Sequence, residues 1–224
     1  MRMYLIAGAV SLAAIAAPGA ATVVISNVMS SAGSPATDPG FASLGQTLIY
    51  DFDTVSPAAG ALTGDYQIAT APGTPGVSAA PSGTAAGTHY LTVPIAASSG
   101  NATLDLGGEF KNVSLYWGSV DTYNTITLYQ ADGTHTDITG SMIGFGVDPN
   151  GNQTNNNSNV RVNFTALGRG ITSIGFDSTQ FAFETDTFAG TAVPEPATWA
   201  MMLGGFGLLG FAARRRSAVK VVAA

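Results

Sequence analysis

Between Gln46 and Thr187 the chain alternates short β-branched or aromatic runs with clusters of Gly, Pro, Asn, Asp and Ser. Within several runs apolar and polar residues change places at every step, the period of a strand whose successive side chains face opposite ways. In Val160-Arg161-Val162-Asn163-Phe164-Thr165 the alternation is strict, so it predicts one buried face and one wet face. Ile126-Thr127-Leu128-Tyr129 behaves in the same way, and Asp132-Gly133 supplies a hairpin turn after it. Strands are predicted over 47–52, 89–93, 102–106, 113–117, 125–130, 134–139, 142–147, 160–165, 171–176 and 181–188. No segment of this body carries a 3.6-residue apolar stripe. Short strands with a turn signal about every ten residues predict an all-β domain, a jelly-roll-like β-sandwich over 46–189. Two stretches read as exposed loops on that sandwich: Pro/Gly/Ala/Ser-rich 69–87 and the Asn-rich tract 150–159. Residues 22–45 read as a flexible leader.

Both ends differ from the body. Arg2 and the apolar run Met3 to Ala17 are followed by Pro18-Gly19-Ala20-Ala21, the pattern of a signal peptide (1–21) cut after Ala20 or Ala21. An uncleaved anchor is the alternative. At the other end a short linker, 190–196, closes on Pro194-Glu195-Pro196, which is extended and exposed because proline cannot continue a backbone ladder. Uncharged residues 197–213 follow, then Arg214, Arg215 and Arg216 open a basic tail, 214–224. As a helix the uncharged run spans about 25 Å, at the short limit for a bilayer, so a transmembrane helix is expected. Its arginines would stay cytoplasmic and leave the body outside. A plain C-terminal membrane anchor fits the same residues.

Removing both ends leaves a body with thirteen acidic residues against Lys111, Arg161 and Arg169, a net charge of minus ten. Such a body will not hold nucleic acid or anionic lipid by charge. Cysteine is absent, so an exported fold must be stabilised by core packing, with a bound ion as a further option.

Pro194-Glu195-Pro196, two residues, Trp199-Ala200, a Gly-rich hydrophobic helix and the cluster Arg214 to Arg216 together resemble the PEP-CTERM sorting signal of the PEPxxWA type. Tails of this kind are also labelled ice-binding protein C-terminal domains, a label that names no activity. The resemblance implies a Gram-negative host that makes exopolysaccharide, passage through the Sec translocon, and an exosortase that handles the tail at the membrane. The extension Ser217 to Ala224 is longer than such tails usually carry. Within the body, Ser114-Leu115-Tyr116-Trp117-Gly118-Ser119 with Asp121 to Ile126, the opening Asp51-Phe52-Asp53 and the closing Phe183-Glu184-Thr185-Asp186 resemble blocks of PEP-CTERM surface proteins. That likeness implies a secreted β-sandwich without a defined biochemical role.

Candidate chemistry is sparse. His89 and His135 lie on separate strands with no nucleophile elbow, phosphate loop or His-Glu-x-x-His, so no enzyme is expected. Asp51 with Asp53 and Glu184 with Asp186 each place two carboxylates on one face of a strand. If the first and last strands are neighbours, the four converge on a structural Ca2+ site; otherwise they are solvated carboxylates. Asp148-Pro149-Asn150-Gly151-Asn152 has oxygen-ligand spacing without a closing acid. Tyr116, Trp117, Tyr123 and Asn124 form a possible glycan-contacting group, although Tyr116 and Trp117 point to opposite faces and Trp117 suits the core. The expected role is structural or adhesive, in envelope, exopolysaccharide or biofilm. A lectin-like carbohydrate-binding module with a structural calcium ion is the alternative.

Overall fold

The computed structural model describes residues 23–194 and 196–216, with side chains described over 23–194 and 201–214. The strands are β1 Val23–Met29, β2 Thr47–Tyr50, β3 Leu62–Gly64, β4 Gln67–Thr70, β5 Gly73–Thr74, β6 Ser78–Ala79 and β7 His89–Val93. They continue with β8 Gly100–Gly118, β9 Asn124–Gln130, β10 His135–Thr139, β11 Val160–Ala166, β12 Ile171–Ser178 and β13 Phe183–Ala192, before helix α1, Pro196–Arg216. All pairings are antiparallel, and eleven strands share one hydrogen-bonded network.

That network folds into two layers because β8 belongs to both. Its first half, Gly100 to Asp105, pairs with β12 and β3, and the layer continues through β9 to β10. Its second half, Asn112 to Trp117, lies between β11 and β13. β1 borders β11 on one side, while β2, β7 and β4 extend the layer beyond β13. The strand changes layer around Gly107, at φ 73°, where the Gly107 amide donates to Asp105 Oδ1 at 2.8 Å. A side chain there would be strained, which is why glycine serves. The two predicted strands 102–106 and 113–117 are therefore one continuous strand that bends.

Alternation builds the core between the layers. Ile126 and Leu128 of β9, Ile174 and Phe176 of β12, and Leu104 of β8 all turn inward from one layer. Leu115, Trp117, Val162, Phe164, Phe183 and Phe188 come from the other. Phe176 meets Phe183 and Phe188 edge-on at 5.2 and 6.0 Å across the gap, and Trp117 stacks on Phe183 at 4.6 Å. Such ring pairs add to the area they bury.

Several expectations change. The leader is not a loose segment: β1 adds to the edge of β11, with Val23 opposite Ala166 and Met29 opposite Arg161. Beyond it Ala36 is fully buried and its amide donates to Thr154 O. Residues 142–147 form no strand, because Gly144, Phe145 and Gly146 all take positive φ, which breaks an extended run. Residues 69–87 are not a bare exposed loop either. They carry β5 and β6, and bury Ala71, Ser78, Pro81 and Ser82. The Asn tract closes on itself: Asn152 Oδ1 accepts the amides of Thr154 and Asn155, and Asn159 Nδ2 donates to Asn152 O and Asn155 O.

The largest correction concerns the predicted wet face of β11. Arg161 is 0% exposed and Asn163 9%. Residues 36–46 and 71–88 lie over that outer face as a third, irregular layer and supply polar partners. Gln46 Nε2 donates to Asn112 Oδ1 and Asn163 Oδ1, both at 2.7 Å, and Ser114 Oγ donates to Gln46 Oε1 at 2.6 Å. Arg161 donates through Nε to Asp38 Oδ1 at 2.9 Å, through Nη2 to Asp38 Oδ2, and through Nη1 to Ser114 Oγ. Its guanidinium also lies 5.5 Å from the centre of the Phe41 ring. A polar alternation that reads as wet is equally the signature of a face satisfied by covering chain.

Candidate functional site

The tail begins where the sandwich stops. The Val193 amide donates to Glu109 O at 2.7 Å, Pro194 is exposed, and α1 starts at Pro196, so only a residue or two separates the last ladder bond from the helix. Glu195 lies outside the described residues, as do 217–224 and residues 1–21, where a signal peptide is expected. Trp199, Ala200, Arg215 and Arg216 are helical positions of α1. All side chains from Met201 to Arg214 are exposed, including Met201 at 80% and Leu208 at 73%. An apolar helix without a buried face needs a partner or a lipid phase.

Among the described residues no helix is long and apolar enough to cross a membrane. This corrects the transmembrane reading of 197–213. Gly204, Gly205, Gly207 and Gly210 dilute the apolar run, and its length of about 25 Å falls short of a hydrocarbon core of about 30 Å. Because the helix shows no buried face, cutting the chain after Val193 is expected to leave the melting temperature of the sandwich within about 2 °C of the full chain, measurable by calorimetry. A drop of about 10 °C would mean that α1 docks on the sandwich.

The four carboxylates proposed for Ca2+ do not converge as one ligand set. β2 and β13, the strands expected to carry the two pairs, are indeed neighbours, Tyr50 facing Phe188. However, β2 ends at Tyr50, and the chain turns at Phe52, φ 62°. Asp51 then caps its own turn, accepting the amides of Thr54 at 2.8 Å and Val55 at 2.7 Å. Partial burial works against its charge, yet the hydrogen bonds from Thr54, Val55 and Asp53 hold its carboxyl below the usual range. Asp53 accepts the His89 amide at 3.1 Å and faces His89 Nδ1 at 2.7 Å. Among the described residues no group of three or more His, Cys, Asp or Glu is placed to hold a metal ion. Asp148 and Asn150 are likewise spent internally, Asn150 Nδ2 donating to Asp148 Oδ2 and Ser158 Oγ donating to Asn150 Oδ1.

Glu184 and Asp186 share the outer face of β13 as expected, but that face is covered. Glu184 is 3% exposed, accepting the Ala79 amide at 3.0 Å and the Ser119 hydroxyl at 3.1 Å. Burial outweighs these bonds and, with the nearby charge of Asp121, pushes its pKa to about 8. Burial also raises Asp186, to about 7, against the Thr187 amide bond and with Asp53, Asp38 and Asp51 adding repulsion. A carboxylic acid kept neutral near pH 7 can donate as well as accept a hydrogen bond.

The glycan-contact group is corrected too. Tyr116 is 2% exposed, its hydroxyl donating to Ser82 O, and Trp117 lies wholly in the core. Asn124 is buried between Ala182 O and the Ser178 hydroxyl. Tyr123 is half-buried, donating to Phe181 O at 3.2 Å. No shared platform results. The covering layer that sequesters Tyr116 left no local signal, since that contact spans 34 residues along the chain.

The all-β sandwich is thus followed, across the Pro-Glu-Pro segment, by an exposed apolar helix. Residues 192–216 match the PEP-CTERM protein-sorting motif. No curated protein matches the chain. Among solved structures it is similar to the K2 cleaved adhesin domain of Lys-gingipain, at 11% identity and TM-score 0.36, covering 65% of this chain and 99% of that one. It is also similar to CpGH89CBM32-6 of Clostridium perfringens, at 13% identity and TM-score 0.30, covering 64% of this chain and 100% of that one. Likenesses this distant carry no argument about function.

Proposed function

We propose that this is an exported, non-enzymatic bacterial surface protein whose tail is handled by an exosortase and whose sandwich serves a structural or adhesive role in the envelope or exopolysaccharide matrix. The PEP-CTERM sorting motif at 192–216 carries the reading. Its physical setting supports it. Pro194 is exposed just after β13, so an enzyme at the membrane can reach the Pro-Glu-Pro segment without unfolding the sandwich. The four glycines of α1 leave it too weakly apolar to act as a simple anchor, which suits a segment held by a protein partner. A body with thirteen acidic residues against three basic ones stays soluble once released.

The test is the intact mass of the protein recovered from its host's surface and medium, with and without the exosortase gene. Loss of the residues after the Pro-Glu-Pro hinge only when the enzyme is present is the expected result. Replacing Pro194, Glu195 and Pro196 by alanine should then retain the full-length tail. A tail of unchanged mass in both strains overturns the exosortase reading.

A further inference from the structure

Beneath the β5–β6 hairpin a cavity of about 500 Å³ opens between the hairpin, the Asn tract and the entry to β13. Its wall includes Pro72, Pro75 and Val77 of the hairpin, Gln153, Phe181 and, at its floor, Glu184. We propose that this cavity is a binding site for a neutral, hydroxyl-rich ring, a pyranoside unit of a polysaccharide, with Phe181 as its stacking face and Gln153 and Glu184 as its polar contacts.

The chemistry of the wall selects the ligand class. No lysine, arginine or histidine lines the cavity, so phosphate, sulfate and uronate groups find no counter-charge. Gln153 is exposed and, among the described residues, its side-chain amide has no hydrogen-bond partner, so its two donors and its acceptor oxygen remain available to a ligand. Phe181 is half-buried, and among the described residues its ring pairs with no other aromatic ring. Prolines and Val77 add rigid apolar surface, while the backbone of the hairpin adds polar edges. Ring faces with apolar C–H groups and rims of hydroxyls need such a mixture of apolar and polar wall.

The Glu184 carboxyl completes it. Both its oxygens already accept one hydrogen bond from the protein, which fixes its orientation, and further acceptor capacity remains for a ligand hydroxyl. Burial keeps the group in its neutral form near pH 7, so it offers a hydroxyl ligand a donor too. The volume of about 500 Å³ leaves room for a ring of this kind. This site is independent of the sorting tail.

The experiment is saturation-transfer NMR on the mature protein recovered from its host, using methyl glycosides of glucose, galactose, mannose and N-acetylglucosamine. Glucuronate and glucosamine are the anionic and cationic controls. Transfer to at least one neutral glycoside is expected, with Phe181→Ala weakening binding about tenfold, the loss of a stacked ring face. Gln153→Ala should weaken it several-fold, and since Gln153 is exposed the variant should keep the wild-type melting temperature. Absence of transfer to all four neutral glycosides overturns the proposal. So does binding unchanged in both variants, which places the sugar elsewhere, or binding of glucosamine alone, which makes the cavity a cation site.

Discussion

Replacing Asp38 by alanine is expected to destabilise the sandwich by about 3 kcal/mol, lowering its melting temperature by roughly 6–12 °C. Arg161 is fully buried near the start of β11 and carries a positive charge. Asp38 meets it as a two-pronged partner, with side-chain exposures of 0% for the arginine and 25% for the aspartate. Without the carboxylate the guanidinium keeps only Ser114 Oγ and Thr187 O as acceptors, and an uncompensated buried charge is left behind. Asp38→Asn, which keeps an acceptor oxygen but not the charge, should lie between. In the Asp38→Ala/Arg161→Met double variant much of the stability should return, because the charge is gone with its partner. Urea titration of the four proteins decides the matter. A loss below about 0.5 kcal/mol in Asp38→Ala would mean that residues 36–46 do not cover β11 in solution.

The second large effect is a stability that falls as pH rises. Glu184 has its pKa raised from 4.5 to about 8, and Asp186 from 3.8 to about 7. A raised acid binds its proton more tightly in the folded state than in the unfolded chain. Its contribution is therefore complete below the unfolded value and is lost as pH rises to the folded one. For Glu184 that window runs from 4.5 to about 8, and for Asp186 from 3.8 to about 7. Within it each group lowers stability by about 1.4 kcal/mol per pH unit at most. Asp51, whose carboxyl is depressed, works the other way, and its contribution is lost as pH falls below the usual carboxylate range. Stability should accordingly peak in mildly acidic solution. Glu184→Gln keeps an acceptor for the Ala79 amide and does not titrate, so it should flatten the slope above pH 5 and exceed the wild type at pH 8. A melting temperature level from pH 5 to pH 8 in the wild type would falsify the burial of both acids.

Both effects come from the covering layer, and that layer is where reading the chain by period fails. Strand β7 is predicted with its bounds intact, and β9 to β13, apart from their ends, follow the alternation and turn residues. Their inward residues are apolar whatever the partner strand, so the local pattern suffices. Strands β3, β4, β5 and β6 are too short, and too rich in Gly, Ala and Ser, to show a period. β1 carries Val23, Val24 and Ile25 but follows the small residues of the expected cleavage site, and it reads as leader until the edge of β11 is in place.

The candidate sites divide in the same way. Pro194, Glu195, Pro196, Trp199, Ala200 and the three arginines are legible because a sorting signal is recognised as a linear segment, and order and spacing are the signal itself. Asp51, Asp53, Glu184 and Asp186 share strand neighbourhoods that the sequence does suggest. Whether carboxylates face water, an ion or the protein's own amides depends on what crosses above them.

From its residues alone the chain determines an all-β body, an acidic surface, a reliance on packing without disulfides, and a tail that addresses it. These follow from composition and from interactions between near neighbours. Only the tertiary structure decides that one strand serves two layers, that Arg161 and Glu184 are buried, and that a cavity lies under the β5–β6 hairpin. The burial of Arg161 and of Glu184 depends on segments 65 or more residues apart meeting over one sheet face. The alternation of a strand records which side chains share a face, and it holds no record of what covers that face.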